Sequence, residues 1–170
     1  MEILIIGAAV VALMVWASTK IKRSAAAAFE EESIETDEFS LVKPEGFLNP
    51  VENEEFLAFY AFSKEYGEED KAEKLRQSLI KLKILAGRSL PEIGKDLKKS
   101  FEKVLSEDAP DENTLLLKGE KTEREVAQIF YHKLVAKDER IFDLEMSVLA
   151  DYEEKYEEKA GKLLENFRVK

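Results

Sequence analysis

The chain has 170 residues, no cysteine and one histidine, and 36 acidic against 26 basic side chains give it a formal net charge of −10. That length suits one domain with an appendage, and 45% apolar residues exclude a wholly disordered chain. The acidic balance argues against a nucleic-acid partner, which demands a cationic footprint. Lack of cysteine excludes thiol catalysis, disulfides and cysteine-based zinc sites, and a single imidazole excludes a multi-histidine metal site within the chain.

The apolar residues are concentrated at the start. From Ile3 to Ala17 every position is Ile, Leu, Gly, Ala, Val, Met or Trp. Crossing the hydrocarbon core takes about 20 helical residues at ~1.5 Å each. Ile3 to Thr19 therefore just spans, with Glu2 and Lys20 reaching for the headgroups. A cleaved signal peptide would carry its cations before the apolar run, whereas Lys20, Lys22 and Arg23 follow it. A buried core helix would keep a polar face. A transmembrane anchor over residues 1–23 is the favoured reading, with Trp16 as an interfacial aromatic or simply one more apolar residue of the span. Cations beside a span tend to stay in the cytoplasm, so the expected topology is N-terminus out with the rest cytoplasmic.

Removing three cations and one acid with the anchor leaves the remainder more acidic still. Residues 24–38, with Glu30, Glu31, Glu32, Glu35, Asp37 and Glu38, read as an acidic tether. Phe39, Leu41 and Lys43 begin a strand that Pro44 and Gly46 end. Phe56 to Phe62 reads as a central strand apolar on both faces. Ala72, Leu75, Leu79, Leu82 and Leu85 recur at helical spacing before Gly87, which predicts a helix. Ser89-Leu-Pro-Glu92 is a capping box that opens a second helix, whose stripe runs through Ile93, Leu97, Phe101, Val104 and Leu105. Asp108 to Asn113 reads as a loop. Thr114–Lys118, Val126–Val135 and Phe142–Ala150 predict a meander, the last two joined by a hairpin at Lys137-Asp-Glu-Arg140. Tyr152, Tyr156, Leu163, Leu164 and Phe167 mark a final helix. The fold class is α+β: an antiparallel sheet with helices packed on it, over residues 39–170.

The opening strand that ends in Pro44-Glu45-Gly46-Phe47, and the two long strands leading to a helix that ends in Phe167-Arg-Val169, resemble the α/β/α sandwich of PsbP-like proteins. The resemblance covers Phe39 to Val169. That family contains accessory subunits of photosynthetic complexes and a nuclear-import cofactor and is mostly non-enzymatic, so the resemblance implies a binding or assembly role. None of the family's functional residues maps onto a position here. The photosynthetic members are lumenal, whereas the flanking charges place this domain in the cytoplasm.

Catalytic devices are missing from the sequence: no Gly-x-Gly fingerprint, no phosphate-cradling loop, no Gly-x-Ser-x-Gly elbow. No catalytic, cofactor-binding or metal-binding residue is assigned, and no cofactor is expected. His132 reads as a part-exposed strand residue on one face with Arg124, Gln128, Phe130 and Leu134; Arg124 and His132 are the surface candidates. The expected function is that of a membrane-anchored acidic module, held in the bilayer through residues 1–23, that binds an unknown protein partner. A carboxylate-based enzyme in the sandwich cleft and an extracytoplasmic accessory subunit of reversed topology are the alternatives.

Overall fold

The computed structural model describes residues 27–50 and 56–170. Its centre is the period-two stretch of the C-terminal half. β7 (Thr114–Glu123), β8 (Val126–Lys137) and β9 (Arg140–Leu149) form a continuous antiparallel meander. Both connections are two-residue turns with left-handed backbones, Arg124 and Glu125 (φ 52° and 66°) and Asp138 and Glu139 (φ 50° and 60°). Such turns match the twist of the strands they join. β5 (Ser78–Ala86) pairs with the other edge of β9, and β4 (Phe59–Ser63) and β3 (Phe47–Leu48) follow outward. With β6 (Lys103–Asp111) beyond β7, the sheet has seven strands in the order β3-β4-β5-β9-β8-β7-β6. A second sheet joins β1 (Glu32–Glu35), β2 (Phe39–Lys43) and β10 (Arg168–Val169).

Alternation assigns each side chain of the large sheet to one of two faces. Ile80 and Leu82 of β5, Ile129 of β8 and Phe142, Leu144, Met146 and Val148 of β9 are buried under α2 (Glu153–Asn166), which supplies Tyr156, Ala160 and Leu163. Phe39 and Leu41 of β2 and the helix-terminal Phe167 complete this core. The opposite face carries α1 (Leu90–Ser100), which covers one end only: Ile93 and Phe101 meet Leu115, Leu117, Phe130, Leu134 and Ile141. The capping box opens α1 as expected, the Glu92 carboxylate accepting the Ser89 amide at 2.8 Å.

The strand from Phe39, the three-strand meander and the final helix stand where the sequence puts them. Four expectations need correction. The stretch from Ala72 to Leu85 is one 3-10 turn (Ala72–Lys74) followed by β5. Ile80-Lys81-Leu82-Lys83-Ile84 alternates, and hydrogen bonding to β4 and β9 on both edges outweighs the helical spacing of the leucines. The second helix stops at Ser100, so Val104 and Leu105 lie exposed on β6, which also takes in most of the expected loop from Asp108. β4 lies next to the edge strand β3 and alternates between buried and half-buried positions, while Phe56 is exposed. Part of the acidic tether is folded: Glu32 to Glu35 pair with Lys43 to Ser40.

Lys43 explains why. Its buried ammonium donates to the carbonyls of Ala28 (3.1 Å), Glu30 (2.7 Å) and Phe47 (2.8 Å), using all three protons. Burial pulls its pKa below the ordinary lysine value, against the charge of Glu32 at 3.8 Å. The anchor assigned to residues 1–23, with Ile3, Trp16, Lys20, Lys22 and Arg23, lies outside the described residues. Among those described, no helix is long and apolar enough to cross a membrane.

Candidate protein-interaction face

Because α1 covers one end of its face, the rest of that face carries no helical layer among the described residues. Register places Tyr60 of β4, Lys81 of β5 and Glu145 of β9 in one cross-strand row, and Phe62, Leu79 and Ser147 in the next. Tyr60, Phe62, Leu79, Lys81, Lys83 and Glu145 are all half-buried. Lys83 pairs with Glu145 at 3.6 Å.

Arg76, just before β5, leans over this surface. Its guanidinium carbon lies 4.4 Å from the Phe62 ring centre and 3.9 Å from that of Tyr66. Nη1 donates to the Lys64 carbonyl at 2.8 Å, so the group is held between two aromatic rings and one backbone acceptor. Stacking fixes the plane of a guanidinium and leaves its remaining N–H groups free to bind carboxylate in bidentate fashion. Neither Arg76 nor Lys81 has a carboxylate partner among the described residues. Tyr66 is 47% exposed, which leaves one side of this arrangement open to a partner.

Arg124 comes to the same surface. It is exposed in the β7–β8 turn and, with Arg76, Lys81, Glu123, Gln128 and Glu145, lines a hollow of about 130 Å³. His132 does not reach it. The expected part-exposed residue is only 2% exposed, because Phe101 at the end of α1 closes over it; the Phe101 and Phe130 ring centres lie 5.9 and 6.4 Å away. Nδ1 of His132 donates to Asp143 at 2.8 Å. Burial disfavours the charged ring, but the hydrogen bond and charge of Asp143, with Glu145 behind it, outweigh burial and raise the pKa above the ordinary histidine value. No group of three or more His, Cys, Asp or Glu that could hold a metal occurs among the described residues.

The arrangement of layers identifies the fold. No protein-family model and no curated protein sequence matches the chain. Solved structures do. The Ran-binding protein Mog1p of Saccharomyces cerevisiae superposes with a TM-score of 0.55 at 14% identity, over 83% of this chain and 96% of that one. The cyanobacterial PsbP of Synechocystis matches at 0.52 and 11% identity, over 83% and 92%. LpqN of Mycobacterium tuberculosis, involved in cell envelope biogenesis, matches at 0.52 and 13%, over 82% and 90%.

The chain has the PsbP-like fold. At these identities the likeness establishes the architecture and nothing finer. Within it, Arg76, Phe62 and Tyr66 are the residues that the sequence alone did not reveal. A helix over 72–85 gives Arg76 no register against the β4 side; the pairing of β4 with β5, continued by a single bridge between Tyr66 and Arg76, brings them together. The usable signal was the Lys81 and Lys83 alternation, which marks a strand with one cationic face.

Proposed function

We propose that this chain is a single-pass membrane-anchored protein whose PsbP-like domain binds a protein partner through the open sheet face around Arg76, without catalysing a reaction. The observation that carries the reading is the Arg76 guanidinium held between Phe62 and Tyr66 beside Lys81, with no carboxylate partner among the described residues. Arginine and tyrosine dominate the energetics of protein interfaces, above all where they are pre-ordered on a rigid scaffold. A shared fold with a protein described as Ran-binding supports a protein partner. The cationic centre of this face, in a chain of net charge −10, favours an acidic patch on that partner over nucleic acid.

The anchor rests on the apolar run from Ile3 to Ala17, and the cytoplasmic placement of the domain on Lys20, Lys22 and Arg23. Anchoring replaces intrinsic affinity by local concentration, so a single anchor point such as Arg76 can suffice. A photo-crosslinking residue placed at Lys81 in the full chain, in its own cells, tests the reading. The expected result is a discrete protein adduct that is lost with Arg76→Glu and absent when the crosslinker sits at Glu158, exposed on α2. Equal adducts from both positions, or none from Lys81, would refute it.

A further inference from the structure

A second concavity lies on the opposite face of the large sheet, where β7 and β8 extend past the end of α2. It is a groove of about 600 Å³, within the range that suits small-molecule ligands. Leu116, Val135, Leu164 and Val169 give it an apolar wall, and Lys133 and Arg168 stand at one side.

The two cations are satisfied in an uncommon way. Lys133 Nζ donates to the carbonyls of Leu164 (2.7 Å) and Phe167 (3.0 Å), at the C-terminal end of α2. An ammonium has three protons, and among the described residues the third has no hydrogen-bond acceptor, the group otherwise lying 5.9 Å from the centre of the Phe167 ring. Arg168 Nη1 likewise donates to backbone, the carbonyls of Phe167 (2.9 Å) and Glu165. Neither cation is paired with a carboxylate among the described residues. Burial of Lys133 and, after it, the neighbouring charge of Arg168 lower the Lys133 pKa. Asp111 and Glu165 also line the groove, exposed to water, and their charges oppose the lowering of the Lys133 pKa.

We propose that this groove is a binding site for a monoanionic amphiphile, an aliphatic carboxylate whose chain lies along Leu116, Val135, Leu164 and Val169 and whose head accepts hydrogen bonds from Lys133 and Arg168. The solvated acids at the rim favour one negative charge over the two of a phosphate monoester. The site shares no residue with the Arg76 face, so either can be disproved without the other.

Octanoate is a suitable probe, because its short chain partitions weakly into lipid. With the full chain in lipid nanodiscs and empty discs as the blank, octanoate should bind saturably, and methyl NMR should show the perturbation at Leu116 and Val135. Octylammonium should bind about tenfold more weakly, since it places like charge beside Lys133 and Arg168. Val135→Trp, which fills the groove, should abolish binding with the fold intact by circular dichroism. The exposed-site variant Arg168→Glu, which leaves the wall unaltered, should weaken octanoate several-fold and narrow its advantage over octylammonium. Absence of saturable binding, equal affinity for the two amphiphiles, or methyl shifts elsewhere than the groove would each overturn the assignment.

Discussion

The single histidine shows what burial does to a residue that has no visible partner in the sequence. His132 is separated from Asp143 by a whole hairpin, and only the register of β8 on β9 brings Nδ1 to within 2.8 Å of the carboxylate. Its pKa is raised in the folded state, so folding is favoured by protonation. That contribution is fully present below the unfolded value of ~6.5 and disappears as pH rises through the folded pKa. Of the other charged groups facing it, Glu145 reinforces the shift and Lys83 opposes it. Stability measured by urea unfolding should therefore decline from pH 6 towards pH 8 by an amount that His132→Phe removes. An identical pH profile in that variant would assign the titration to other groups. Sequence alone could expose the histidine as a candidate, but its partner is a property of pairing, and its burial depends on Phe101 from another element.

At the scale of elements, the strands that could be read were those whose two periodicities do not compete. In β9, Phe142, Leu144, Met146 and Val148 alternate with Asp143, Glu145 and Ser147, and a helical stripe there would bury Glu145; the structure buries the even series under α2. In β5 both patterns coexist: Leu75, Leu79, Leu82 and Leu85 fit a helix, while Ser78, Ile80, Leu82 and Ile84 fit a strand. Long-range hydrogen bonding on two edges decides between them, and nothing local encodes it. The same limit hid the candidate interaction face, because Arg76 meets Phe62 through the β4–β5 pairing and the bridge from Tyr66 to Arg76 that continues it. Element packing also gives Gly119 its role. It lies within β7, and a Cβ there would fall 2.2 Å from the Phe101 ring that closes α1 onto the sheet. Gly119→Ala should accordingly destabilise the domain by about 1–3 kcal/mol, lowering Tm by several degrees. Adding Phe101→Leu should recover part of the loss if the ring contact is the cause; a fully additive double variant would exclude that cause.

At the scale of the whole molecule, the question is how the domain relates to its N-terminal segment. A flexible acidic spacer of residues 24–38 would let the domain wander from the anchor, whereas Lys43 binds the Ala28 and Glu30 carbonyls and β1 pairs along β2. The folded body therefore begins within a few residues of Arg23, the last of the three flanking cations. In the proposed anchored chain those cations lie between the bilayer and an acidic domain, and the charge bias of cations beside a span is what the proposed cytoplasmic placement rests on. Replacing Lys20, Lys22 and Arg23 with Gln removes that bias without touching the apolar run. With a cytoplasmic reporter and an extracytoplasmic reporter fused in turn after Lys170, the native chain should activate only the cytoplasmic one. The triple variant should divide between the two orientations. Activity of the extracytoplasmic reporter on the native chain would reverse the assigned topology, and an unchanged orientation in the triple variant would show that the flanking charges do not set it.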